Sequence, residues 1–371
     1  MGEPPWERPD LRALPALSAA ADFELELPGV HAAFGQGRSR ALGADLQRLG
    51  IARALVVATP AGESRYAGLT AALGEACAAA FFGAEPHCPE PVVERCRAAY
   101  LAARCDGVVA IGGGSTLGLG KILAAEHVAK FVALPTTYSG SEMTPLFGRK
   151  IGAEKRVAKD SRCRPVFVIY DPALTATLPA RIAATSGLNS IAHAVEALYP
   201  KRPNPLAHVL AEQALGAQRD GLRAIAAGQP GAEALAAAQY GAFLGGLLVA
   251  MCGIALHHRL CHVIGGLFDL PHAETNAVVL PHAVAYILAA IPAARAVIER
   301  VFGADHAARG LAAFAREIGA PRSLRELGMP EQGIGTVVSA LLELGGWNPR
   351  PLEQSGIAAL VRDAFEGRDP A

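Results

Sequence analysis

A chain of 371 residues exceeds what one hydrophobic core usually supports, so two domains are expected. Apolar residues make up 51% of it and charged residues 18%, and the 34 basic and 34 acidic side chains cancel. This describes a well-packed globular chain and excludes any general attraction for nucleic acid. The seven cysteines include no C-x-x-C pair, which argues against a zinc knuckle or a disulfide framework and for a reducing, cytoplasmic setting.

Residues 1–22 read as an N-terminal extension; prolines and acids stand where a secretory signal would have an apolar core. From residue 23 short apolar runs alternate with helical segments. Arg53–Ala58, Asp106–Ile111, Lys130–Leu134 and Val166–Tyr170 are predicted as buried strands, and Pro91–Arg104 as a helix. Continuous apolar strands separated by helices predict a parallel, Rossmann-like sheet covered on both faces. After Asp171–Pro172 the chain turns rich in Ala, Leu, Arg and Glu. Helices are predicted at Thr185–Leu198, Pro205–Leu215, Gly231–Leu248 and Ala307–Ile318. The organisation is thus an α/β domain over 23–172 and an all-α domain over 173–371. The longest apolar run, Phe243–Leu256, reads as one buried helix too short to span a membrane.

Two loops at strand ends look like ligand cradles. Gly112-Gly113-Gly114-Ser115-Thr116 follows the second predicted strand and opens a helix. Three glycines admit a phosphate close to the backbone, and a helix N-terminus supplies free N–H groups. It is neither the G-x-G-x-x-G fingerprint, which fails at Leu117, nor a Walker A loop. The second loop, with Thr136, Thr137, Tyr138 and Ser141, offers hydroxyls after the third strand or, alternatively, a plain capping turn.

Histidines concentrate between residues 257 and 282. His258 and His262 are spaced i, i+4, as are Asn189 and His193, so two helices can each aim one polar face at a common site. His272 follows Pro271, where the helix is expected to have ended. His257 lies about 100° around the helix from His258 and is expected to face elsewhere. A metal or catalytic cluster and a set of core histidines both fit this spacing. Asn189 is neutral and a poor metal ligand, while Glu196, three residues after His193, could reach the same face but suits an outer-shell or surface role equally well. Arg149, Lys150 and Arg259 are candidate anchors for an anionic substrate.

These motifs, in this order, resemble the iron-type alcohol dehydrogenase-like superfamily over roughly residues 23–365. They comprise Phe34-Gly35-Gln36-Gly37, the GGGST turn, Pro135-Thr136-Thr137, Asp171-Pro172, Gly187 through Glu196, and His258 through His272 and Asn276. Where metal-dependent members carry aspartates, this chain has Asn189 and Gly118. At both places, and in the runs Ser115–Lys121, Thr136–Pro145, Leu256–His262 and Trp347–Pro351, it resembles the maleylacetate reductases.

The resemblance implies a dehydroquinate synthase-like architecture with the site between its lobes, and a homodimer. It also implies reduction of the carbon–carbon double bond of maleylacetate to 3-oxoadipate by NADH or NADPH, in the breakdown of aromatic and chloroaromatic compounds. A metal-dependent alcohol or polyol dehydrogenase of the same fold is the alternative. The implied catalytic set is Asn189, His193, His258, His262 and His272. The implied cofactor set is Gly35, Gly37, Thr59, Gly112, Gly113, Gly114, Ser115, Thr116, Thr136, Thr137, Tyr138 and Ser141. No metal, nucleic-acid partner or membrane is expected. With no acid in Ala58-Thr59-Pro60, NADPH is expected to be tolerated alongside NADH.

Overall fold

The computed structural model describes residues 29–371 except 153 and 229; the expected extension over 1–22 lies outside these residues. Strands β1 (Ala32–Phe34), β2 (Ala54–Val57), β3 (Cys77–Phe81), β4 (Gly107–Gly112), β5 (Lys130–Pro135) and β8 (Phe167–Tyr170) form one sheet, and β6 (Leu146–Ile151) and β7 (Glu154–Lys159) a separate antiparallel hairpin. The sheet order is β1-β8-β5-β4-β2-β3 and every pairing is parallel. Helices α1 (Leu42–Arg48), α2 (Gly62–Arg65), α3 (Ala67–Ala72), α4 (Glu90–Ala102) and α5 (Gly114–His127) connect these strands.

Side chains alternate across the sheet as the pleat requires. Val108, Ala110, Phe131 and Ala133 pack under α4 and α5, while Val109, Ile111, Val132 and Leu134 pack on the opposite face with Leu42, Leu46 and Tyr66. Burial on both faces is why the central strands are apolar at nearly every position, the exposed Lys130 at the start of β5 excepted.

Beyond Pro172 the regular structure of the described residues is helical: α6 (Ala180–Ala197), α7 (Pro205–Ala226), α8 (Ala232–Cys252), α9 (Leu256–Phe268), α10 (His272–Ile287), α11 (Pro292–Phe302), α12 (Ala307–Glu317), α13 (Gly333–Leu344) and α14 (Gln354–Glu366). The Phe243–Leu256 run is not one helix. Gly253, at φ 74, ends α8, and Leu256 begins α9. The segments Ala232–Cys252 and His272–Ala290 are long and apolar enough to cross a membrane, and 50% and 72% of their apolar windows are buried. Both contribute residues to the helical core, where buried helices are apolar all round.

His272 lies past the end of α9, as expected, and is itself the first residue of α10, with Pro271 at the cap. Strand β5 runs one residue further than expected and ends on Pro135, at the final register position opposite Gly112. Strands β1 and β3 and the β6–β7 hairpin were not expected, since none carries a long β-branched run.

Candidate active site

Because the six strands run the same way, their carboxyl ends open along one edge, where ligands of such sheets lie. Gly35, Thr59, Gly112 and Thr136 all stand just past or at those ends. The turn holding Gly35 and Gly37 is pinned by Asp171, whose carboxylate accepts the Gly37 N–H (2.8 Å), the Ser39 N–H (2.9 Å) and the Ser39 hydroxyl (2.6 Å). Thr59 is exposed at the end of β2.

The glycine turn and the threonine loop lie side by side. The Thr136 N–H donates to the Gly112 carbonyl at 3.0 Å. A Cβ at Gly113 would come within 2.8 Å of Thr137 Cγ2, and one at Gly112 within 2.5 Å of Thr116 Oγ1, whereas around Gly114 nothing lies within 4 Å. Helix α5 begins at Gly114 with no side-chain cap, so its first N–H groups, Ser115 included, are available to an anion. Thr116 Oγ1, Ser139 Oγ and Ser141 Oγ are buried without a hydrogen-bond partner, which a bound polar ligand would relieve. These features fit a dinucleotide. Tyr138 fits less directly: its ring is wholly buried in the helical core and its N–H donates to Ser186 Oγ at 3.2 Å. Lys121, also wholly buried, binds the carbonyls of Ser141 (2.5 Å) and Leu146 (2.8 Å), tying the second loop to α5.

Asn189 and His193 share a face of α6, and His258 and His262 share one of α9. The imidazoles form a chain of neighbours, with ring centroids 4.5 Å apart for His193–His258, 6.4 Å for His258–His262 and 5.7 Å for His262–His272. The chain runs from buried to open: His193 and His258 are 7% and 2% exposed, His272 is half-buried and His262 exposed. Burial, reinforced by the neighbouring imidazoles, holds His193 and His258 well below the ordinary histidine pKa. The His193 Nδ1 is buried with no partner, a cost of about 1–3 kcal/mol that a ligand group reaching it would remove.

Two more residues enter this cluster, one that spacing had left open and one that it had turned away. Glu196 is buried and its Oε2 lies 2.7 Å from His258 Nδ1. His257 does not face away: its Nδ1 is 3.2 Å from His258 Nδ1, and its Nε2 is 3.0 Å from the Asn276 carbonyl. The i+3 step from His193 to Glu196 was the available signal. Of the three candidate anchors, Arg149 is forked onto Glu90 and also meets Glu126. Arg259 is committed to the carbonyls of Gly345, Trp347 and Ala255. Lys150 pairs with Asp269 at 2.9 Å.

The donor atoms suit a metal poorly. Among the described residues, Glu196, His257 and His258 are the one group of three His, Cys or carboxylate ligands whose donor atoms all lie within 4.8 Å of one another. Those atoms already hydrogen-bond to each other. His193, His258 and His272 form no such group, and Asn189 brings an amide where a divalent ion favours a carboxylate.

Residues 30–172 match the family described as iron-containing alcohol dehydrogenase, and residues 183–365 match its C-terminal part, described as the Fe-containing alcohol dehydrogenase family, C-terminal. The chain is 43% identical to a maleylacetate reductase of Pseudomonas sp. (strain P51) and 42% identical to that of Rhizobium sp. (strain MTP-10005), each match covering 91% of this chain and 96% of the relative. The crystal structure of maleylacetate reductase from Agrobacterium tumefaciens superposes with a TM-score of 0.90 at 39% identity, over 94% of this chain and 100% of that one. The chain belongs to the iron-containing alcohol dehydrogenase family and, within it, to the maleylacetate reductases.

Proposed function

We propose that this protein reduces the carbon–carbon double bond of maleylacetate to give 3-oxoadipate, with NADH or NADPH as reductant and without a metal ion. The reading divides the work between a nucleotide-binding lobe, 23–172, and a catalytic lobe, 173–371. The observation that carries it is the chain of four imidazoles beside an amide, Asn189, at the position where metal-dependent relatives use a carboxylate.

Gly112, Gly113, Gly114, Ser115 and Thr116 would hold the pyrophosphate, with Gly35, Gly37, Thr136, Thr137 and Ser141 around the rest of the dinucleotide. When bound, the reduced nicotinamide supplies a hydride. Addition to the alkene carbon β to the ketone leaves negative charge on the ketone oxygen. Neutral imidazole N–H groups aimed at that oxygen stabilise the charge, and one such donor contributes about 3 kcal/mol. His193 and His258 suit this role because burial keeps them uncharged. The proton for the neighbouring carbon is assigned to His262, which meets solvent and can be recharged from it. The exposed end of β2 presents Thr59 and no acid, so nothing there repels a 2′-phosphate.

We place the reaction in the cytoplasm and in a homodimer. The deciding experiment follows reduced nicotinamide absorbance with maleylacetate and each cofactor, before and after chelation. Turnover with both cofactors, unchanged by EDTA, is expected. Activity that vanishes with chelator and returns with iron or zinc would replace this reading with a metal-dependent dehydrogenase.

A further inference from the structure

Helix α9 carries His258 in its first turn but has no side-chain cap of its own, since its N-cap is Ala255. The cap comes from α6. Glu196 is 1% exposed, its Oε1 lies 3.4 Å from the His258 N–H, and the N–H groups of Ala255 and His257 also turn toward it. Such a carboxyl at a helix start satisfies orphan donors and opposes the positive end of the dipole. The same side chain grips the His258 ring at Nδ1, 2.7 Å away.

The other edge of that ring is also determined. His258 Nε2 is 3.2 Å from Asn189 Oδ1, and Asn189 Nδ2 donates to the Ser139 carbonyl at 3.3 Å. Turning the amide over would set oxygen against oxygen at Ser139, so Oδ1 must face His258 and accept. Nε2 of His258 therefore bears a hydrogen. On the near side, His257 Nε2 donates to the Asn276 carbonyl at 3.0 Å, which leaves its Nδ1 lone pair facing His258 Nδ1. One further hydrogen lies on the line between His258 Nδ1 and Glu196 Oε2. Burial disfavours a charged pair there, so the His258 ring stays neutral, with its own hydrogen on Nε2.

We propose that Glu196 is a positioning residue: together with Asn189 it locks His258 with a proton-bearing Nε2, so that this edge gives a hydrogen bond and offers no lone pair. The His193 ring, stacked on His258 at 4.5 Å and 14°, is set by the same lock. The kinetic part of this inference rests on the imidazoles being catalytic; the protonation of Nε2 does not.

The test compares the full-length enzyme with Glu196→Gln and Glu196→Ala, using long-range ¹H–¹⁵N spectra of the histidine rings (assigned with His258→Gln) and steady-state kinetics. In the wild type, His258 Nε2 is expected to show as protonated, with a far-downfield proton from the Nδ1–Oε2 line that Glu196→Gln removes. Glu196→Gln can still cap α9 and donate to Nδ1, so Nε2 stays protonated and much of the rate is retained. Glu196→Ala is expected to lose kcat by about thirtyfold while KM for the nicotinamide cofactor is unchanged. If the alanine variant does not fold, the spectra of the wild type and of Glu196→Gln still decide. An unprotonated Nε2 in the wild type overturns the proposal, as does an unchanged kcat in both variants with only the melting temperature lowered. Should the wild type fail to turn over maleylacetate, the proposed activity falls while the spectra still judge Glu196.

Discussion

At the scale of one residue, the proposed metal-free reading turns on position 189. The Asn189 amide faces a carbonyl with its nitrogen and an imidazole with its oxygen. An aspartate has no hydrogen for Ser139, and in this 5%-exposed pocket it sets two acceptors against each other. Asn189→Asp is therefore expected to destabilise the protein by about 1–3 kcal/mol and to lower kcat, both measured without added metal. Equal or greater stability by urea unfolding would show that the amide is not matched to its surroundings. Much of this site was legible in the sequence, because i, i+4 spacing alone puts Asn189 with His193 and His258 with His262. What spacing cannot supply is how α6 and α9 meet. Glu196 and His257 acquire their roles only from that packing, and a buried carboxylate on a helix reads the same as a surface one until its neighbour is known.

Among elements, the join between α5 and the loop after β5 rests on Lys121. Its ammonium is wholly buried on two carbonyls and Thr144 Oγ1, and burial lowers its pKa from 10.5 to about 8. A base depressed in the fold binds fewer protons there than in the unfolded chain between those two values. The penalty is thus full below pH 8, about 3 kcal/mol, and disappears as pH rises to 10.5. Lys121→Met removes this titration and leaves carbonyls unpaired. The stability of the wild type relative to Lys121→Met is expected to rise across that window in paired urea titrations. A flat difference would mean the ammonium is better solvated than its surroundings suggest. The same scale shows why some strands were visible in advance. β4, β5 and β8 are buried on both faces and carry continuous apolar runs. β3 is Cys-Ala-Ala-Ala-Phe at the sheet edge, and β6 and β7 carry blocks of charged residues in a separate two-stranded hairpin. Their pairing is decided by neighbours, not by local propensity.

Across the whole molecule, the sheet lobe and the helical bundle touch through hydrogen bonds, such as Asn189 to Ser139 and Gln239 to Pro135, and through two further kinds of contact. One is apolar and close: Tyr170 meets Phe243 at 5.2 Å, and a Cβ at Gly140 would lie 2.7 Å from Gly246 Cα. The other is the Lys150–Asp269 pair, 2.9 Å long, with side chains 31% and 58% exposed. An ion pair this exposed contributes at most about 1 kcal/mol, so a competing carboxylate can take the ammonium. Asp269, the partner of Lys150, closes α9 three residues before His272, and a dicarboxylate substrate needs such a cation. With Arg149 and Arg259 committed elsewhere, Lys150 is the expected anchor. Lys150→Met is expected to raise KM for maleylacetate about tenfold, a loss of about 1.4 kcal/mol, with KM for the cofactor unchanged. Asp269→Asn releases the ammonium and is expected to lower KM by up to about fivefold, the most that an exposed pair can withhold. The opposite signs are the diagnostic. If both variants raise KM, the pair holds the lobes together and the substrate finds its cation elsewhere; if neither changes it, the carboxylates are bound by backbone N–H groups.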